Sequence, residues 1–274
     1  MSTTRFAGKV VFVAGSTGMA ASAARSLAAE GAVVAVSSRS EEHLRSLAAS
    51  IAAGDGSVSW HVADLSDERA VDVSFRACVE QHGRIDALLH VAGISGRRYG
   101  DGLAHEASLD GWEVVMRTNA TSAFLTTRAA LRQMLTQEPD VTGQRGSILL
   151  MSSALARHPS AVHFATHAYA ASKGAIESFT RAVAAAYAPH GIRVNAIAPS
   201  LVATPMSERA QNDPAIVAYL REKQPLAGGP IDADAITPVA LHLLSADARM
   251  ITGQVLSVDA GWSVSEPAPP RPRE

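Results

Sequence analysis

Tyr169 and Lys173 stand four residues apart in the run Tyr169-Ala-Ala-Ser-Lys173. On a helix this spacing puts both side chains on one face. An unperturbed phenol ionises near pH ~10. A neighbouring ammonium favours the phenolate, which makes the phenol a better proton donor near neutral pH. Tyrosine four before lysine is a common pattern, so its weight comes from its company. Ser152 and Ser153 close an apolar run at 147–151, Ala92-Gly93 closes another at 87–91, and Asn119 lies in a helical stretch between the two.

The elements that must position these groups alternate. Short, continuous apolar runs at 9–14, 33–37, 58–62, 87–91, 147–151, 193–198 and 255–258 suit buried parallel strands. Helical patterns fall between them at 19–30, 41–53, 69–82, 109–137 (two helices), 170–188 and 238–244. Glycines at Gly31, Gly54 and Gly83 supply stops. Alternation of this kind predicts a single α/β domain over 1–265, a doubly wound parallel sheet with helices on both faces. The polar, proline-containing stretch 204–230 reads as a helical excursion, a common form for a small substrate lid. The Pro-rich end, 266–274, reads as an extended, loosely ordered tail.

In such a sheet a ligand binds outside the carboxyl ends of the strands. The turn after the first strand carries Gly15 and Gly18 and opens a helix, which brings backbone N–H groups towards a phosphate. Two glycines alone are weak evidence; their place after the first strand strengthens it. The second strand ends in Ser37-Ser38-Arg39, with no acid to take a free ribose 2′-hydroxyl. A guanidinium there suits a 2′-phosphate, which favours NADP(H) and leaves NAD(H) as the alternative. Asp64 is a candidate adenine contact, or a cap for the next turn. Lys173 is long enough to reach a nicotinamide ribose.

Bulk properties agree with an enzyme that stays in water. The chain has 274 residues, 47% hydrophobic and 18% charged, enough for a full core. A net charge of −2 with no basic block gives no case for nucleic acid or an anionic membrane. Cys78 is the one cysteine, so neither an internal disulfide nor a multi-cysteine metal site is possible. With no signal-like start and no membrane-length apolar run, a cytoplasmic location is expected.

Taken together, residues 8–261 resemble the short-chain dehydrogenase/reductase family, including its 3-oxoacyl-carrier-protein-reductase-like members. The matching features are the turn at Gly15, Asp64-Leu65, Ala92-Gly93, Asn119, Ser153, Tyr169 with Lys173, Arg193-Val-Asn-Ala-Ile-Ala-Pro199, and the stretch from Ile251-Thr-Gly-Gln254 to Asp259. The resemblance implies a Rossmann-like fold and hydride transfer between a nicotinamide and a ketone or secondary alcohol. Tyr169 would be the acid in reduction and the base in oxidation. Ser153 would bind the substrate oxygen, and Lys173 would bind the nicotinamide ribose and lower the tyrosine pKa. Asn119 would hold a water that relays protons to Lys173. Gly15, Ser16, Thr17, Gly18, Met19, Ser38, Arg39, Asp64, Leu65, Ala92 and Gly93 would bind the cofactor. Pro199, Ser200, Val202 and Thr204 would hold the nicotinamide. A homotetramer, or a homodimer, would pack through the helices at 109–135 and 170–188. Two alternatives stay open: an epimerase acting through a transient ketone, and a non-catalytic cofactor-sensing or partner-binding protein on the same fold.

Three departures from the family pattern stand out. The glycine turn, Gly15-Ser-Thr-Gly18-Met-Ala20, is one residue short and ends in alanine, which alters the phosphate cradle. Val91 stands where asparagine is usual. Ser153 and Tyr169 lie sixteen positions apart, about three more than usual in the family, and the added segment carries His158, His163 and His167. Without a convergent carboxylate these histidines read as loop residues at the substrate mouth rather than a metal site. The neighbouring Arg97 and Arg98 could grip a carboxylate or phosphate on the substrate, or lie in a solvated loop or subunit contact.

Overall fold

A computed structural model describes residues 4–266. The last eight residues of the chain, and with them nearly all of the expected tail, lie outside this range. Among the described residues seven strands form one sheet: β1 (Val10–Ala14), β2 (Val33–Ser38), β3 (Ser57–Val62), β4 (Ala87–His90), β5 (Gly146–Met151), β6 (Ile192–Pro199) and β7 (Val255–Val258). All pair in parallel, in the order β3-β2-β1-β4-β5-β6-β7. The order reverses between β1 and β4, which is the crevice where such sheets take dinucleotides.

The continuous apolar runs explain the two layers. Along β1, Val11 and Val13 point into one core and Val10, Phe12 and Ala14 into the other. A strand buried on both faces has no reason to alternate with polar residues. Helices α1 (Met19–Ala29), α2 (Glu41–Ala52) and α9 (Ala233–Leu244) contribute to the first core. Helices α3 (Glu68–His82), α5 (Ser122–Thr136) and α6 (His167–Tyr187) cover the other face.

Two helices differ from expectation in ways that matter for the site. α9 begins five residues before Pro238, because the Asp232 side chain caps it by accepting from the Asp234 N–H at 3.0 Å. Pro238 therefore sits inside the helix rather than opening it. The 109–137 stretch is α4 (Leu109–Met116) and α5 joined by a π-turn, Arg117–Thr121. Such turns widen the helical ladder and favour functional sites; Asn119 is at its centre. The 204–230 stretch holds two short helices, α7 (Glu208–Gln211) and α8 (Pro214–Lys223). With the loop after β5 and Trp262 it forms a third, smaller apolar cluster. No helix of the described residues is long and apolar enough to cross a membrane.

Candidate active site

Two contiguous clefts open at the carboxyl ends of the strands. The first, about 1000 Å³, is lined by Ser153, Tyr169 and Lys173 together with Met19, Gly93, Pro199, Ser200, Val202 and Thr204. The second, about 890 Å³, is lined by Gly15, Ser16, Thr17, Ser38, Arg39, Asp64, Leu65 and Ala92. Gly93 borders both. The fold thus gathers almost every site residue expected from the sequence. Met19 lines the first cleft.

The short glycine turn holds its shape through its glycines. Gly15 has φ +126°, and a Cβ there would lie 3.1 Å from the Ala20 methyl and 3.5 Å from the Ala92 nitrogen. Gly18, at φ +53°, packs on Thr204; a Cβ would come within 2.7 Å of its methyl. The turn packs directly against Thr204, at the base of the 204–230 stretch. No side-chain capping bond is made at Gly18, the residue before α1, and an uncapped helix N-terminus favours an anion. At the far end Ser16 Oγ and Ser38 Oγ pair at 2.8 Å beside Arg39. Burial raises the Asp64 carboxyl. Two hydrogen bonds from Ser66 and the charges of Arg39 and Arg117 outweigh that and hold it below the usual carboxylate range. A cradle narrow enough to require glycine, leading to a guanidinium with no acid at the strand end, fits a dinucleotide.

In the first cleft burial dominates the electrostatics. It pushes the Tyr169 phenol above its ordinary value, and the Ser153 hydroxyl beside it pulls it part of the way back. Lys173 is buried too, which brings its ammonium down to about 8. Its Nζ lies 5.6 Å from the Tyr169 ring centroid and donates to the Met151 carbonyl at 2.7 Å. Desolvation therefore dominates at Tyr169, and the lowering influence there is Ser153 rather than the expected Lys173. Ser153 Oγ accepts from the Leu155 N–H at 3.2 Å, while its hydroxyl lies within hydrogen-bonding reach of the Tyr169 phenol.

Asn119 is fully buried and its amide is committed. Oδ1 accepts from the Ile94 N–H at 2.8 Å, while Nδ2 donates to the Ile94 carbonyl and to Ser172 Oγ. Both amide hydrogens are used, so a water held here would donate to a remaining oxygen lone pair. Asn119 also ties the loop after β4 to α6.

Several supporting groups carry no signal in the sequence. Asp101 is nearly buried and accepts from the Ala168 and Tyr169 N–H groups, each at 2.9 Å, capping α6 from a distant loop. Glu177 receives Ser152 Oγ and pairs with Arg157, which fastens the loop after Ser153 to α6. Beneath the cleft His90 is buried against Thr126 and Ser122, and burial with the Lys173 charge takes it down to about 3. Trp262, Phe164, Leu155 and Met206 supply apolar lining. Only tertiary packing brings these residues to the site.

The added histidines do not converge. The His163 ring rests on Tyr219 of α8, the His158 carbonyl accepts from Trp262 Nε1, and the His167 N–H donates to Gly102. Among the described residues no group of three or more His, Cys, Asp or Glu could hold a metal ion. The added segment packs on α8 and Trp262, while Arg97 Nη2 holds the His163 carbonyl at 2.8 Å.

Comparisons with known proteins agree with this geometry. A family model described as "Enoyl-(Acyl carrier protein) reductase" matches residues 13–263. The 2,5-dichloro-2,5-cyclohexadiene-1,4-diol dehydrogenase LinX of Sphingobium indicum is 32% identical over 263 residues, 95% of this chain and 98% of its own. Gluconate 5-dehydrogenase of Gluconobacter oxydans is 32% identical, covering 91% of this chain and 92% of its own. Among solved structures, a single-substitution variant of actinorhodin polyketide ketoreductase with NADPH superposes with a TM-score of 0.82 at 27% identity, covering 96% of this chain and 100% of its own. The chain belongs to the short-chain dehydrogenase/reductase family. It is an oxidoreductase, of a family that binds NAD(P)(H).

Proposed function

We propose that this enzyme uses NADP(H) to interconvert a small ketone and its secondary alcohol, with Tyr169 as the acid–base residue. The observation that carries this reading is the meeting of Ser153, Tyr169 and Lys173 in one cleft that continues, past Gly93, into a groove ending at Arg39. The bound dinucleotide supplies or accepts the hydride.

In reduction, Tyr169 gives its proton to the carbonyl oxygen. Burial keeps the phenol protonated through the neutral range, so the donor form is present when needed. The Ser153 hydroxyl donates to the same oxygen and stabilises its developing charge. Lys173, held by the Met151 carbonyl, holds the nicotinamide ribose. Asn119 is a positioning residue that fixes Ile94 and α6. Leu155, Phe164 and Trp262 keep water from the reacting centre, and the 204–230 stretch serves as the lid. The Arg39 side of the groove supports NADP(H) over NAD(H).

Exposed apolar side chains on α4 and α5 (Leu109, Trp112, Phe124 and Leu135) support assembly as a homotetramer or homodimer.

The test is a fluorescence titration with NADPH and NADH, followed by a neutral ketone panel. Tighter NADPH binding by tenfold or more is expected, with Arg39→Asp reversing the order. A preference for NADH unaffected by Arg39 would overturn the cofactor assignment. Undetectable binding of both would overturn the whole reading.

A further inference from the structure

Two positive charges that line the first cleft have no part in the acid–base chemistry. Arg97 and Arg209 both line the cleft that holds Ser153 and Tyr169. They come from separate elements, the single helical turn Arg97–Tyr99 after β4 and the short helix α7. Arg98, the other arginine the sequence pointed to, does not line the cleft.

Arg97 is oriented, since its Nη2 donates to the His163 carbonyl at 2.8 Å. Partial burial, and next the charge of Arg209, push its guanidinium below the ordinary value; Asp101 acts in the opposite sense. The Asp101 carboxylate is already committed to the two N–H groups that begin α6. Among the described residues neither Arg97 nor Arg209 has a carboxylate within ion-pair distance. Two like charges sharing one opening repel each other unless an anion lies between them. Guanidinium groups are suited to grip a planar or tetrahedral oxyanion. The same cleft is also lined by the apolar side chains of Leu155, Phe164, Leu201 and Trp262.

We infer that Arg97 and Arg209 form an oxyanion subsite, and that the substrate is a ketone or alcohol with an apolar body ending in a carboxylate or phosphate. The inference rests on the ketone-reduction reading for the reacting end of that substrate.

Steady-state kinetics with NADPH would compare 5-oxohexanoate and 5-oxohexyl phosphate with neutral methyl 5-oxohexanoate. At least one anion should be preferred over the ester by tenfold or more in kcat/KM, which also tells carboxylate from phosphate. Replacing both arginines (Arg97→Gln with Arg209→Gln) should cost the preferred anion at least ten times more than the ester, mainly through KM. Arg209→Lys should keep part of the preference. Equal losses on anion and ester, or no preference in the parent enzyme, would overturn the subsite while ester reduction leaves the reductase reading standing. Calorimetry with hexanoate, hexyl phosphate and hexanamide, with and without NADPH, reads the subsite independently of turnover. Binding of an anion that depends on the arginines supports the subsite even if no ketone is reduced, an outcome that would count against the reductase reading alone. Anion binding no tighter than hexanamide, or unchanged in the double variant, would overturn it.

Discussion

At Tyr169 two opposing influences meet, burial that favours the neutral phenol and a serine hydroxyl that eases its ionisation. Removing the phenol oxygen should remove the proton donor and leave the cleft's shape. Tyr169→Phe is therefore expected to lower kcat for ketone reduction by about 10²–10⁴, the range of general acid catalysis. Ser153→Ala should cost about 10²-fold, as for loss of one oxyanion donor. Both are read by steady-state NADPH oxidation. His90 makes a different prediction. Its folded value is about 3, against 6.5 ordinarily. Above pH 6.5 it is neutral folded or unfolded; below that the unfolded chain takes the proton first, so stability is lost as pH falls towards 3. Urea unfolding between pH 6 and 4 should show the parent losing about 1.4 kcal/mol more per pH unit than His90→Asn. An identical slope in the two proteins would mean that His90 is protonated in the fold. The residues legible in the sequence were those whose chemistry follows from local spacing or place on a strand end: Tyr169, Lys173, Ser153, Arg39. Trp262 was not legible as part of the site, and within stretches expected beside it the capping role of Asp101 and the placement of Arg209 were not, because each acts across a large sequence separation.

Helix α6 shows how an element delivers such a residue. Thr166, its own N-cap, makes no capping bond with its side chain; Asp101 caps the helix from 67 positions away. Asp101→Ala should lower stability by about 1–2 kcal/mol, the usual worth of an N-cap, and raise KM by loosening the Tyr169 backbone. Chemical denaturation and kinetics on one preparation check both. β6 shows the structural side of a sequence motif. Arg193 is buried and donates to the carbonyls of Leu243, Leu244, Ser245 and Ile251, closing the end of α9. Burial takes it down to about 10. Arg193→Met should cost about 3 kcal/mol, since the orphaned carbonyls stay buried. The central strands were legible because both faces are buried and their apolar runs are nearly unbroken, whereas the edge strands β3 and β7 are partly exposed. The start of α9 was not, because a proline inside a helix reads from sequence as a helix opening, and only the Asp232 cap reveals otherwise.

For the molecule as a whole, one sheet of fixed order forces the glycine turn, the Ala92-Gly93 turn and Ser153 to one edge. The short turn, a departure from the family pattern on sequence grounds, packs against Thr204 at the start of the 204–230 stretch. The added loop after β5 joins that stretch through His163, Phe164, Tyr219 and Trp262. Its contribution was illegible because loop conformation depends on what it packs against. The apolar surface of α4 and α5 makes the assembly testable: light scattering should give a dimer or tetramer, and Phe124→Asp with Trp112→Arg should shift it towards monomer. A parent chain that is monomeric at micromolar concentration would refute the interface. The most direct test of Tyr169 as the acid is the rate of NADPH oxidation with a ketone, for the parent and for Tyr169→Phe, each saturated with NADPH by direct titration. Equal NADPH affinity is expected, with a rate lower by about 100-fold or more in the variant. Equal rates in the two proteins would contradict the assignment.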